Sequence, residues 1–168
     1  YGDQRDLHSF PTRRSSDLSN SKIKVWGAKG NDQGKVNEPF AIAVDQSERV
    51  YVADARNHRI QIFDQKGKFL GQWGKHGNGP GDFEKPSGIA VNNDGDIFVS
   101  DYDLDRIQKF TPQGNFLMQW GTPGKNPGQF DSPTGIAIDS HNYLYVTDTY
   151  NYREIGRAHV WTPVTCLS

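Results

Sequence analysis

One pattern recurs three times, 47 residues apart, through the middle of the 168-residue chain. Pro39, Pro86 and Pro133 open the apolar stretches Phe40-Ala-Ile-Ala-Val-Asp45, Ser87-Gly-Ile-Ala-Val-Asn92 and Thr134-Gly-Ile-Ala-Ile-Asp139. Val50-Tyr-Val-Ala-Asp54, Ile97-Phe-Val-Ser-Asp101 and Leu144-Tyr-Val-Thr-Asp148 follow in the same register. Arg59, Arg106 and Arg153 keep the step, as do Trp26, Trp73 and Trp120. A fixed period of this size is the signature of a solenoid, propeller or array, because each unit must bury its apolar face against the next.

Within one unit the strands are readable. Ile89-Ala-Val91 is short and apolar and is closed by Asn92-Asn-Asp-Gly95, a hairpin turn signal. Ile97-Phe-Val99 follows; Ile107-Gln-Lys-Phe110 alternates apolar with polar; Pro112-Gln-Gly114 turns into Phe116-Leu-Met-Gln-Trp120. The 18 Gly and 9 Pro suit this many turns. Four antiparallel strands per repeat describe a propeller blade, with the small Gly-Ile-Ala-Val strand nearest the axis. The expected fold is all-β, about three such blades out of a six-bladed ring. A β-solenoid, with shorter coils and fewer hairpins, is the competing reading.

The period breaks at both ends. After Arg153 the slot filled elsewhere by Ile60-Gln-Ile-Phe63 reads Glu154-Ile-Gly-Arg157, and the strand pattern is lost. Upstream, the Trp26 register predicts a strand near 13–16, where the chain reads Arg13-Arg-Ser-Ser16; a partial strand is expected near 22–26. Residues 1–18 and 155–168 resemble translated sequencing-adapter sequence and are set aside from fold reasoning. The expected organisation is a propeller segment at 19–154, with repeats near 39–85, 86–132 and 133–154. That segment holds 15 Lys+Arg against 17 Asp+Glu, a net charge of −2.

The repeats resemble the NHL family. Pro86-Ser-Gly-Ile-Ala-Val, Ile97-Phe-Val-Ser-Asp101 and Asp105-Arg-Ile-Gln with Phe110 carry the resemblance, as does Val50-Tyr-Val-Ala-Asp-Ala-Arg-Asn-His-Arg-Ile-Gln61. Ala41 stands where the family has Gly, and Leu104-Asp105 and Asn151-Tyr152 vary the Asn57-His58 pair.

Asp54, Asp101 and Asp148 each precede an arginine (Arg59, Arg106, Arg153) by five residues. Recurrence in every unit reads as scaffold, an aspartate tying its own turn and pairing with the arginine. Asp101-Tyr-Asp-Leu-Asp105 has the carboxylate spacing of a calcium loop, but Arg106 stands where such a loop needs Gly and Pro112 where it needs Glu. The Gly-rich run from Gly74 to Gly81 leads to another strand rather than a helix, so it reads as an inter-blade connector, not a phosphate cradle. His58, His76 and His141 show no metal-ligand spacing and read as exposed turn histidines.

Alternate turns of a meander emerge on one face, so the turns after the second strand should share a face with the Gly-rich connectors. Arg56, Asn57 and His58, then Tyr102, Asp103 and Asp105, then Tyr150, Asn151 and Tyr152, differ between units while their scaffold does not. They form the expected binding surface for a protein or other polymer. The expected function is non-enzymatic, with no catalytic residues, no metal ligands and no cofactor in this segment.

The resemblance also implies alternatives. Related six-bladed lyases and lactonases hold a metal at the axis, so calcium or zinc is a possibility for a longer parent protein. RNA-binding or ubiquitin-ligase-associated NHL domains are the third class. Nucleic acid is disfavoured by the net charge of −2. No run of 18 apolar residues suggests a membrane span.

Overall fold

A computed structural model describes the backbone of residues 25–159 and the side chains of residues 25–154. The first blade contains β1 (Pro39–Val44), β2 (Val50–Asp54), β3 (Arg59–Phe63) and β4 (Phe69–Trp73). The second contains β5 (Pro86–Val91), β6 (Ile97–Asp101), β7 (Arg106–Phe110) and β8 (Phe116–Trp120). The third contains β9 (Pro133–Ile138), β10 (Tyr143–Asp148) and β11 (Arg153–His159). Each sheet is an antiparallel meander in chain order. These are propeller blades, and the 47-residue period is one blade.

The reading of the segment after Arg153 needs correction. Loss of the apolar alternation after Arg153 does not end the strand: β11 runs to His159 and pairs with β10 across a bulge. Backbone groups of an adjacent strand edge hold any sequence free of proline. Of the strand expected near 22–26, residues 22–24 lie outside the described residues, while Val25 and Trp26 are not in a strand. The adapter-like stretch 1–18 also lies outside them.

Inner strands stack edge to edge around the axis side. Ser87 Oγ donates to the Pro133 carbonyl at 2.8 Å, and Ser100 Oγ to that of Thr134 at 2.9 Å. Gly88 permits this approach: a Cβ there would lie 2.2 Å from the Thr134 carbonyl oxygen. The seam between the first two blades is filled by Tyr51, Ile60, Phe83, Ile89, Ile97 and Phe110. Phe83 is fully buried, and burial of a ring of this size is worth about 1.5–3 kcal/mol. Further out, Trp73 lies 5.5 Å from Phe110 and covers Gly114, whose φ of +86° and contact with the indole exclude a side chain.

Where β1 has no neighbour among the described residues, Phe40, Ile42 and Val44 are 55%, 61% and 58% exposed. Their equivalents Ser87 and Ile89 are buried, Ile89 in the cluster shared with the first blade.

Candidate functional site

Each turn after a second strand is built on a buried aspartate. In the first blade Asp54 Oδ1 accepts from the Asn37 N–H at 2.6 Å. Its Oδ2 accepts from Asn57 Nδ2, Arg59 Nε and Gln61 Nε2 at 2.8–2.9 Å. In the third blade Asp148 repeats this with the Asp131 N–H, Asn151 Nδ2 and Arg153 Nε. The arginine guanidinium then caps connector carbonyls, Arg59 on Asp32 and Lys35 and Arg153 on Asn126 and Gln129.

The second blade departs from this arrangement, and the expected Asp101–Arg106 pair is not made. Leu104 replaces the asparagine, so one donor to the carboxylate is gone. Asp101 keeps the equivalent connector contact, accepting from the Glu84 N–H at 2.9 Å, and adds the Lys85 N–H at 2.9 Å. Arg106 turns to the carbonyls of Asn78, Gly79 and Asp82, leaving its buried Nε without a partner. Burial pushes the Asp101 carboxyl above the usual carboxylate range, against the pull of those two N–H groups and the nearby guanidinium.

The residues expected to form the binding surface divide in two. Asn57 and Asn151 turn inward: each Nδ2 also reaches a connector carbonyl, of Gly30 at 3.0 Å and Gly124 at 2.8 Å. Last in each turn stand His58, Asp105 and Tyr152, all left-handed with φ of 50–53°. His58 and Asp105 staple the turn to the next blade. His58 Nδ1 donates to the Glu84 carbonyl at 2.5 Å, and Asp105 Oδ1 accepts from the Ser132 N–H at 2.6 Å. The Asp105 carboxyl is pushed up by burial, with Asp131, Asp148 and Asp103 adding to the effect. Tyr152 is 91% exposed.

The remaining residues face outward together. Tyr102 Oη donates to Tyr150 Oη at 3.1 Å, with the rings edge-on at 6.3 Å. Lys85 Nζ lies 4.5 Å from the centre of the Tyr102 ring and 5.2 Å from that of Phe40. A strip Phe40–Lys85–Tyr102–Tyr150 therefore crosses three blades on one rim. Beside it is a polar groove of about 350 Å³ lined by Glu38, Arg56, His58, Glu84, Lys85 and Asp103. Arg56 pairs with Glu38 at 3.1 Å, leaving both largely exposed.

The histidines differ from expectation. His141 does sit in an exposed turn, its N–H on Asp139. His58 and His76, however, lie ring to ring at 4.5 Å, and His76 Nε2 is 2.8 Å from Glu84 Oε2. Potential ligand atoms of His58, His76 and Glu84 all fall within 4.8 Å of one another. Sequence reasoning missed this grouping. The available signal was that all three positions break the repeat, with Asp105, Pro123 and Asp131 at the corresponding places one blade on.

Comparison with known proteins agrees with the geometry. Residues 30–111 match the family model of a 6-bladed beta-propeller, and residues 130–155 that of the NHL repeat. Protein lin-41 of Caenorhabditis elegans is 44% identical over 50 residues, 30% of this chain and 4% of its own. The E3 ubiquitin-protein ligase TRIM32 of Mus musculus is 44% identical over 45 residues, 27% of this chain and 7% of its own. Among solved structures, virginiamycin B lyase from Staphylococcus aureus superposes with a TM-score of 0.57 at 20% identity. That match covers 77% of this chain and 39% of the lyase, a likeness of fold alone. The chain thus spans a small part of each relative's length.

Proposed function

We propose that this chain of NHL repeats, folded as consecutive propeller blades, is a non-enzymatic binding module for a protein or other polymer. The observation that carries the reading is the Phe40–Lys85–Tyr102–Tyr150 strip beside the polar groove. An exposed aromatic and cationic surface spanning three blades suits an extended partner better than a small molecule. Tyr102 and Tyr150 belong to turns that vary between blades, each following a buried aspartate, Asp101 and Asp148, that recurs. Likeness to TRIM32 supports a substrate-reading role within a larger ligase as the more specific version. Likeness to the lyase supports only the shared fold.

A random-peptide phage library panned on the full chain tests the reading. Selected peptides should lose about tenfold or more in affinity against Tyr102→Ala and Tyr150→Ala. They should be unaffected by Lys66→Ala, in the β3–β4 turn at the opposite rim. Peptides sensitive to Lys66→Ala but not to the tyrosine variants would overturn it. A salt-sensitive RNA affinity in filter binding, lost with the same tyrosines, would replace it with the RNA-binding alternative.

A further inference from the structure

We propose that His58, His76 and Glu84 form a binding site for a zinc-class divalent cation at the seam between the first and second blades. The inference stands on its own geometry and does not require the polymer-binding reading.

The three residues come from two elements that the fold locks together. His58 ends the β2–β3 turn in a left-handed conformation. His76 and Glu84 lie on the connector between β4 and β5. That connector is closed by hydrogen bonds from the Gly77 N–H to the Phe83 carbonyl (3.2 Å) and from the Phe83 N–H to the Lys75 carbonyl (2.9 Å). His76 and Phe83 thereby become bridge partners, which places Glu84 beside His76. Glu84 is also held by both of its own backbone groups: its N–H by Asp101 and its carbonyl by His58.

The hydrogen bonding prepares the donors. A carbonyl oxygen can only accept, so the 2.5 Å contact with Glu84 puts the proton of His58 on Nδ1. With Nδ1 committed to that bond, Nε2 is the ring nitrogen left to ligate. Metal-binding histidines commonly have this second-nitrogen bond to a backbone carbonyl, which fixes tautomer and ring orientation. His76 Nε2 and Glu84 Oε2 lie 2.8 Å apart, a contact that a cation held by both would replace. Tetrahedral zinc with ligands at about 2.1 Å separates its donors by about 3.4 Å. Small side-chain rotations reach that spacing from a cluster lying within 4.8 Å.

Two imidazoles and a carboxylate favour zinc, cobalt, nickel or copper over calcium and magnesium, which prefer oxygen. Entry is open, since the His76 and Glu84 side chains are 65% and 40% exposed. Three protein ligands leave a fourth position for water or a partner's donor, next to the groove that His58 and Glu84 help to line. The nearby cations have other partners: Lys85 the aromatic rings, Arg56 Glu38, and Lys75 Asp82 at 3.9 Å. The scaffold does not need this trio, because the next seam replaces it with Asp105, Pro123 and Asp131.

The test is calorimetric titration of the chelator-treated full chain with Zn²⁺, repeated with Co²⁺ in visible absorption. The baseline is the triple variant His58→Asn, His76→Ala, Glu84→Gln, which accounts for metal held by the chain's other histidines and its single cysteine. One site above that baseline is expected, with cobalt absorption of low-coordinate type and no competition from equimolar Ca²⁺. His76→Ala, at an exposed position, should weaken Zn²⁺ by about 10- to 100-fold or more with far-UV circular dichroism unchanged. His141→Ala should bind as the parent does. Equal Zn²⁺ affinity in the parent and the triple variant, or in the parent and a folded His76→Ala, would overturn the proposal.

Discussion

Leu104→Asn should stabilise the protein, and the reason can be worked from the blades on either side. Asn57 and Asn151 each donate to their blade's buried aspartate at 2.8 Å and to a connector carbonyl at 2.8–3.0 Å. The new asparagine would reach Asp101 and the Gly77 carbonyl, the equivalents of those two acceptors. A hydrogen bond to a charged group is worth about 1.5–3 kcal/mol and a neutral one about 0.5–1.5 kcal/mol. Drawing Asp101 Oδ2 toward its own turn would also bring it to Arg106 Nε, a buried donor now without a partner, a defect of about 1–3 kcal/mol. Against this stands the half-buried leucine, whose lost burial costs about 1 kcal/mol, and the rearrangement of the Glu84 N–H. The gains total about 3–7.5 kcal/mol, and with about 1 kcal/mol lost for the leucine and up to about 3 kcal/mol if the Glu84 bond is given up, the balance favours the variant by a few kcal/mol. For a chain of this size that raises Tm by about 2–4 °C per kcal/mol. Thermal and urea melts of the full chain measure it, and the gain should disappear when Asp101→Ala is introduced as well. Unchanged or lower stability, or a gain that survives without Asp101, would refute the reasoning.

Asp105→Asn keeps the acceptor for the Ser132 N–H and tolerates the left-handed turn, while removing a charge near Asp131, Asp148 and Asp103. Because the folded carboxyl holds its proton to higher pH than the unfolded one, the wild type loses stability as pH rises through that window. The variant should therefore be more stable at neutral pH by about 0.3–1 kcal/mol, with the gain vanishing below about pH 4. A gain that persists in acid would contradict it. Gly88→Ala drives a Cβ onto the Thr134 carbonyl and should destabilise by about 1–3 kcal/mol in urea melts; a neutral result would mean that the inner strands pack more loosely than described. The exposed Phe40, Ile42 and Val44 should make the chain self-associate, which light scattering would show as mass rising with concentration and Ile42→Lys would suppress. A monomer at all concentrations would count against it.

The period placed the strands because hydrophobic alternation and turn chemistry act locally, from Asn92-Asn-Asp-Gly95 to the Gly-Ile-Ala-Val strands. The aspartate clamp was legible for the same reason in the first and third blades. It failed in the second, where Leu104 supplies no side-chain amide and Asp101 takes the Lys85 N–H in addition to the connector N–H that every blade provides. Asn57 and Asn151 read as variable surface, yet their amides turn inward, a choice made by a carbonyl 27 residues away. His58, His76 and Glu84 matched no ligand spacing, because blade stacking rather than a single strand or helix brings them together.

If chemistry resides where the repeat is broken and scaffold where it is kept, a metal should bind at the broken positions alone. Anomalous diffraction at the zinc edge, from crystals of the full chain grown with Zn²⁺, tests this most directly. A peak between His58, His76 and Glu84 is expected. No peak there, with density instead at the inner strands or on the recurring Asp54 and Asp148 clamps, would contradict it.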